Sequence, residues 1–367
     1  MCWVSGRIDV PVPAPASHRW TEAHAERKAM KALQYRTVGS RPELVEIETP
    51  EPGPGQVRLR VTAAGACHSD EFIMAAPEGA FTLPLTLGHE GAGVVDKLGA
   101  GTTGVEVGES VLVYGPWGCG RCYQCSLGNE NNCERGIDAP GINHDGAMAE
   151  YMIIDDVRHL VPLGDLDPVQ SASLTDAALT PYHAIKASVA KLVPGTTAVV
   201  IGAGGLGHVA IQILRAMTSA RVIVLDVNDE KLALAKKVGA HEAFHSNQEG
   251  ADSIRELTGG RGADAIFDFV GIQPTLDLAK SMVRIDGEIV IVGVAGGALG
   301  VGYLTLPLDV KVRVVNWGSR SEMIEVVELA RSGAIAIEVE QFSFDTAGEA
   351  YDKLHNGKLA GRAVIVP

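Results

Sequence analysis

Cys119, Cys122, Cys125 and Cys133 form a C-x2-C-x2-C-x7-C run and account for four of the six cysteines in the chain. Four thiolates at such short spacing close a tetrahedral all-cysteine site, the usual form of a structural zinc. An iron–sulfur cluster is the rival reading, since it opens on the same C-x2-C-x2-C run. There the fourth Cys follows after three residues and precedes Pro; here the gap is seven and Glu134 follows. Unligated cysteines are the plain alternative. A zinc held by four cysteines has no position left for substrate, so reactive chemistry must lie elsewhere.

A second pattern is Gly202-Ala203-Gly204-Gly205-Leu206-Gly207, a G-x-G-x-x-G run. Glycine is abundant here, at 43 of 367 residues, so the pattern alone is weak. Its context strengthens it. The apolar run Thr197–Ile201 precedes it, a helical pattern with Val209, Ile213, Leu214 and Met217 on one face follows, and Asp226 stands nineteen residues past Gly207. Gly202 makes the tight turn, Gly204 lets backbone N–H groups approach a pyrophosphate, and Gly207 lets the helix pack on the strand. The helix N-terminus then faces the phosphates. Asp226 accepts from the ribose hydroxyls and repels a 2′-phosphate, with no Arg or Lys at 227–228 to offset it. The cofactor expected is NAD rather than NADP. Lys231 is a further candidate for ribose contact, with a solvated helix lysine as the alternative. An ordinary βαβ unit without ligand is the plain reading of the stretch.

The elements that position these groups fall into two texts. From Leu44 to about Val113 short strands alternate with Gly and Pro turns, as in Val57–Val61, Gly91–Val95 and Ser110–Val113; this pattern predicts a β-rich, barrel-like domain. Residues 115–140 are Gly- and Asn-rich and read as a loop held by its metal. From Thr197 strands alternate with helices: strand Arg221–Leu225, helix Lys231–Val238, strands Ala265–Phe269 and Glu288–Val292. That alternation predicts a parallel sheet with helices on both faces. A helix over Glu322–Ser332 and a strand over Ala363–Val366 close the chain. No internal repeat is evident.

Composition bounds the rest. At 46% hydrophobic and 21% charged residues, the chain is a globular protein with ample core. A formal charge of -14 argues against nucleic acid or an anionic membrane as partner. Cysteines in metal-like spacing read as cytoplasmic. Residues 1–29 have no apolar core and carry Pro11, Pro13 and Pro15, which argues against a signal peptide. They read as a disordered extension, with Met30 as the natural start.

Cys67, in Cys67-His68-Ser69-Asp70, and His89, in Gly88-His89-Glu90, are unremarkable singly: a buried thiol and a core histidine. Together with the cysteine lobe, the stretch GHEGAGVVDKLG and GAGGLG, they make the chain resemble a zinc-dependent medium-chain alcohol dehydrogenase/reductase from Met30 to Pro367. Through SLTDAALTPYHAI and NWGSRSE it is most similar to the bacterial NAD-dependent secondary-alcohol enzymes. The resemblance implies an α/β fold: a GroES-like β-rich catalytic domain at 30–176 and an inserted Rossmann, doubly wound parallel-sheet domain at 177–316. The chain then returns to the catalytic domain at 317–367.

By the same resemblance Cys67, His89 and Asp176 hold a catalytic zinc, so the chain carries two zinc ions and NAD. Three protein ligands leave a fourth position for water or substrate. Glu90 follows His89 and approaches the metal or bonds behind it. Asp70 orients the zinc-bound histidine. His68 contacts the pyrophosphate, Thr180 borders the nicotinamide, and Gly205 and Leu206 belong to the cofactor loop. Zinc lowers the pKa of bound water from about 15.7 to about 7, and an alcohol ligand responds similarly; that span corresponds to roughly 11–12 kcal/mol. Ser69 matches the proton-relaying hydroxyl, with a helix cap as its alternative role.

Many relatives place a His five residues past the first ligand; here Phe72 stands there and narrows the substrate pocket. The proton then leaves through the cofactor ribose and His68, or through water. Trp317, Trp117 and Tyr303 are further candidates for the pocket wall, with core packing as the alternative for the last two. An aromatic pocket favours neutral hydrophobic secondary alcohols and ketones. A polyol or amino-alcohol dehydrogenase of the same fold, and a non-catalytic NAD- or zinc-binding protein, are the alternatives. Relatives of this type are homodimers or homotetramers.

Overall fold

The computed structural model describes residues 28–136 and 138–367. The extension expected over residues 1–29 lies outside the described residues up to position 27. Its far boundary is corrected: Ala29 already pairs with Glu48, and the Lys28 carbonyl accepts from the Thr49 N–H at 2.9 Å.

The N-terminal half holds strands β1 (Ala29–Tyr35), β2 (Glu43–Glu48), β3 (Val57–Ala66), β4 (Leu85–Thr86), β5 (Glu90–Leu98), β6 (Ser110–Val113), β7 (Tyr151–Ile154) and β8 (Leu160–Pro162). β3 is the organising strand. Val57, Leu59 and Val61 face the core while Arg58 and Arg60 face outward, the period-two pattern of a half-buried strand. From Ala63 to Ala66 both faces are buried, which only small side chains permit. β3 pairs antiparallel with β5 and β7.

The middle of the chain forms β9 (Thr197–Ile201), β10 (Arg221–Asp226), β11 (Glu242–His245), β12 (Ala263–Asp268), β13 (Val283–Ile291) and β14 (Lys311–Val314). They make one parallel sheet in the order β11-β10-β9-β12-β13-β14. β9 lies between β10 and β12, so the strand order reverses at its carboxyl end. A crevice opens at such a point, and it is where open α/β sheets bind ligands. The helix Gly207–Met217 buries Val209, Ile213 and Leu214, as the periodicity predicts. β11, β14 and the helices Gln248–Leu257 and Gln273–Met282 are not among the elements expected from the sequence. β11 is only partly buried, and β14 is an edge strand of Lys, Val, Arg and Val.

The chain then returns. The helix Arg320–Arg331 starts at a capping box in which Ser319 and Glu322 satisfy each other's backbone N–H groups. β15 (Val339–Ser343) and the helix Ala347–His355 lead to β16 (Arg362–Val366). β16 pairs antiparallel with β3, so the last strand completes the first half's seven-stranded sheet. One apolar cluster joins the halves: Ala92 and Leu112 pack through Leu179 and Ile185 of the helix Leu179–Lys186 to Ala198, Val200 and Val224. Among the described residues no helix is long and apolar enough to cross a membrane.

The first turn after β9 depends on two glycines. Gly202 has φ +87°, a left-handed conformation that favours glycine. A Cβ on Gly207 would lie 1.8 Å from the Gly202 carbonyl oxygen, which is backbone and cannot swing aside. Gly207→Ala is therefore expected to destabilise the nucleotide-free protein by about 1–3 kcal/mol. Urea unfolding checks this, and a loss below about 0.5 kcal/mol would show that the turn relaxes freely.

Candidate active site and metal centres

Three distant parts of the chain meet behind β3. Cys67 follows the end of β3 and caps the helix His68–Met74, His89 precedes β5, and Asp176 ends the 3-10 turn Ala172–Thr175. Cys67 Sγ lies 3.7 Å from Asp176 Oδ2, and His89 Nε2 lies 3.6 Å from the same oxygen. A tetrahedral zinc with ligands at roughly 2.0–2.3 Å spaces them about 3.3–3.8 Å apart, so these residues fit that ion. Glu90 belongs to the same cluster, with Oε1 4.0 Å from His89 Nε2.

The electrostatics agree with a cation site. Cys67, Glu90 and Asp176 bring three acidic groups into a buried space beside the Arg362 guanidinium, and although burial opposes it, bonds to Asp176, Asp70 and Cys67 raise His89 well above its ordinary value. Burial alone would raise the Cys67 thiol, but the Arg362 guanidinium and a bond from His89 hold it below its ordinary value. Burial likewise opposes ionisation of Asp176, and the hydrogen bond and charge of His89 together with bonds from Thr180 and Cys67 outweigh it. Both groups are thus biased toward the deprotonated forms that ligate metal.

Sequence reading missed Arg362. It pairs with Glu90 and also reaches Asp176 Oδ2 at 3.1 Å. The only local signal was a charge heading an apolar strand (Arg362-Ala363-Val364-Ile365-Val366).

Around the trio, Asp70 Oδ2 accepts from the Cys67 N–H at 3.0 Å and the Tyr351 hydroxyl at 3.1 Å. Its other oxygen faces His89 Nδ1 at 3.7 Å, and neither atom has another partner. Tyr351, on the helix Ala347–His355, is a second residue the sequence did not flag. Thr180 donates to Asp176 Oδ1 at 2.6 Å. Ser69 is not the helix cap, since Cys67 is; its hydroxyl instead reaches Cys67 Sγ at 3.6 Å.

The aromatic expectations divide. Trp317 is buried beside the trio, edge-on to His89 with ring centroids 5.7 Å apart. Its backbone has φ +46°, and its indole N–H has no partner. Two bonds clamp that conformation: Asn131 Nδ2 to the Asn316 carbonyl at 3.1 Å, and the Tyr114 hydroxyl to the Gly318 carbonyl at 2.7 Å.

The other three pocket assignments are corrected. Phe72 is 62% exposed, because Asp70 and Ile73 take the buried face of its short helix. Tyr303 is 83% exposed on the segment between β13 and β14. Trp117 is a core aromatic: it stacks on His159 and its indole donates to the Tyr114 carbonyl at 2.8 Å.

Cys119, Cys122, Cys125 and Cys133 also converge, with their sulfurs within 4.8 Å of one another and Cys122 and Cys133 4.0 Å apart. A zinc–sulfur distance of about 2.3 Å predicts roughly 3.8 Å. The described cysteines form no disulfide. The Arg121 backbone N–H holds Cys119 down to about 6, whereas burial pushes Cys125 up to about 12. Four adjacent thiolates need a cation to coexist, so this donor set also fits zinc.

The lobe is braced from behind. His159 is fully buried, with Nδ1 2.6 Å from Asp155 and Nε2 3.2 Å from Glu130, and Glu130 accepts from the Gly118 N–H at 3.0 Å.

At the glycine loop, a Cβ on Gly204 would meet only Lys231 Nζ, at 3.7 Å, so the space over it is open. Gly205 lies against Arg362, and Leu206 is the residue before the helix. Asp226 accepts from the Ala203 N–H at 2.7 Å and the Asn228 N–H at 2.9 Å, which sets its carboxylate at the lip of the crevice. His68 is exposed, and the charges of Arg362 and Lys231 both bear on it. These groups fit a dinucleotide phosphate.

The family model described as "Alcohol dehydrogenase GroES-like domain" matches residues 53–165, and that described as "Zinc-binding dehydrogenase" matches residues 205–332. An NAD-dependent alcohol dehydrogenase of Sulfurisphaera tokodaii is 36% identical over 355 residues, 92% of this chain and all of that protein. The crystal structure of an alcohol dehydrogenase from Aeropyrum pernix superposes with TM-score 0.86 at 33% identity, over 92% of this chain and 100% of that one. An acetophenone reductase of Geotrichum candidum in complex with NAD has TM-score 0.80 at 30% identity, over 92% of this chain and 97% of that one.

The brace behind the cysteine lobe makes a pH-dependent claim. Burial works against charging His159, but bonds to Asp155 and Glu130 raise its pKa. Its contribution is complete below the unfolded value of about 6.5 and fades as pH climbs through the raised folded value. Glu130 and Asp155 are held below their ordinary values, so their share is lost only in acid. His159→Phe is expected to cost about 1–3 kcal/mol at pH 6 and clearly less at pH 9. Urea unfolding at the two pH values checks it, and an equal loss at both would refute the charged brace.

Proposed function

We propose that this chain, which belongs to the zinc-dependent medium-chain alcohol dehydrogenase family, holds a catalytic zinc on Cys67, His89 and Asp176 and acts on neutral hydrophobic secondary alcohols and their ketones. It is an NAD-dependent oxidoreductase that interconverts alcohols and ketones. The observation that carries the site assignment is the approach of a thiol, an imidazole and a carboxylate oxygen to 3.6–3.7 Å from three separate elements. Held there, zinc would lower the pKa of an alcohol hydroxyl or polarise a ketone, and NAD would supply the hydride acceptor or donor.

The chain's own groups do the rest. Asp226 selects the unphosphorylated ribose, and Gly204 with the neighbouring N–H groups cradles the pyrophosphate. Ser69, beside Cys67, takes the hydroxyl proton through its Oγ, and His68 stands exposed along the way to solvent. Position 72 is Phe, so no imidazole stands there to pass the proton on. Trp317 supplies an apolar wall against His89, and the likeness to a reductase of an aromatic ketone supports that choice of substrate.

A second zinc on Cys119, Cys122, Cys125 and Cys133 is structural, giving two per chain. The unpaired edge of β14, with Val314, Tyr303 and Leu304 exposed near it, supports a homodimer or homotetramer. Cysteines free of disulfides among the described residues support a cytoplasmic setting.

Two measurements test this reading. Elemental analysis should find two zinc ions per chain, and Asp176→Ala should lose one of them together with at least about 99% of NADH formation, a barrier of about 2.7 kcal/mol or more. Retained turnover in that variant sinks the ligand assignment. In a panel of NAD-linked substrates, 2-butanol and 1-phenylethanol should exceed sorbitol and threonine in kcat/KM by at least about 100-fold. A preference for sorbitol or threonine would overturn the hydrophobic pocket.

A further inference from the structure

A carboxylate differs from a thiolate as a metal ligand because it offers two oxygens. It can bind through one or through both, and a second metal–oxygen bond occupies space that an open coordination position needs. The two oxygens of Asp176 have different surroundings. Oδ2 faces His89 Nε2 at 3.6 Å and Cys67 Sγ at 3.7 Å, and receives Arg362 Nη2 at 3.1 Å. Oδ1 faces away from that group and accepts the Thr180 hydroxyl at 2.6 Å.

Both side chains are buried. The chain makes the contact locally. Thr180 lies four residues after Asp176, in the first turn of the helix Leu179–Lys186, and its N–H donates to the Asp176 carbonyl at 2.9 Å. Residues four apart along a helical turn share a face, so hydroxyl and carboxylate are set against each other by the backbone itself.

From this geometry we propose that Thr180 is a positioning residue for the catalytic metal: its hydroxyl ties down Oδ1, commits Oδ2 alone to the ion, and keeps the fourth position open. The inference rests on Cys67, His89 and Asp176 being the zinc site. It has a consequence that no general packing role shares. A ligand with a single donor atom has nothing for the hydroxyl to choose between. Replacing Asp176 by Cys should therefore make Thr180 dispensable for holding the metal.

The test follows zinc release from the full-length, zinc-loaded, nucleotide-free protein into excess EDTA, read with a zinc-responsive dye. Leaving out the nucleotide removes any contribution from contact between Thr180 and the nicotinamide. The cysteine-lobe zinc is the internal standard. Thr180→Val should release the second zinc about 10–100-fold faster than the parent, and Thr180→Ser, which keeps the hydroxyl, should stay within about threefold. In the Asp176→Cys background, adding Thr180→Val should change the rate by less than about threefold.

Cobalt substituted for zinc gives a second readout. The visible absorption of the trio's cobalt should change in Thr180→Val and not in Thr180→Ser. Parental release and an unaltered cobalt spectrum in Thr180→Val overturn the proposal. So does equal acceleration with and without Asp176→Cys, since the hydroxyl would then act through something other than the carboxylate. Should Thr180→Val not fold, Thr180→Ser and the doubly substituted Asp176→Cys, Thr180→Val protein still decide. A parent that holds only the lobe zinc overturns the ligand trio itself, a separate and earlier failure.

Discussion

Everything near the reactive centre answers to one constraint: three acidic side chains are buried side by side. Unpaired buried charges are too costly to keep, so Cys67, Glu90 and Asp176 are tolerable only with positive charge supplied among them. The protein supplies Arg362, at 2% exposure, and a histidine, His89, raised well above its ordinary value. A divalent cation held by the trio would supply the remainder. This explains why the chain must come back after its parallel sheet. Arg362 is the first residue of β16, and it reaches Glu90 and Asp176 only because β16 pairs with β3. Closing the sheet and neutralising the site are the same event.

The two candidate metal sites differ in coordination. A zinc on the four lobe cysteines would have every position filled and be closed to substrate, yet the lobe is not inert. Asn131, within the lobe, and Tyr114, just before it, clamp the backbone on either side of Trp317. That clamp holds a non-glycine residue at positive φ, a conformation that persists only when the surroundings enforce it. The lobe thereby sets the position of the Trp317 ring beside His89, and the buried pair His159 and Glu130 stiffens the lobe in turn.

Legibility followed the range of the interactions. Local patterns were readable: the glycine turn after a buried strand, the helix behind it, and the cysteine spacing. The strands with strong apolar text, Ser110–Val113 and Thr197–Ile201, lie where expected. Edge strands such as β14 were lost because half-exposed Lys and Arg dilute the pattern. The aromatics were the least legible. Nothing in residue type distinguishes Trp317, pressed against His89, from Trp117, stacked in the core, or from Tyr303, turned to solvent.

By itself the sequence determined the class of chemistry. Four closely spaced cysteines and a glycine turn act over a few residues, so spacing along the chain is spacing in space, and the resemblance to a known family implied the grouping of Cys67, His89 and Asp176. Tertiary structure decided the rest: which oxygen of Asp176 meets Cys67 and His89, that Arg362 and Tyr351 stand behind them, and which aromatic lies against His89. Those contacts join residues separated by up to 281 positions. Their existence depends on how β3 and β16 pair, which no local pattern encodes.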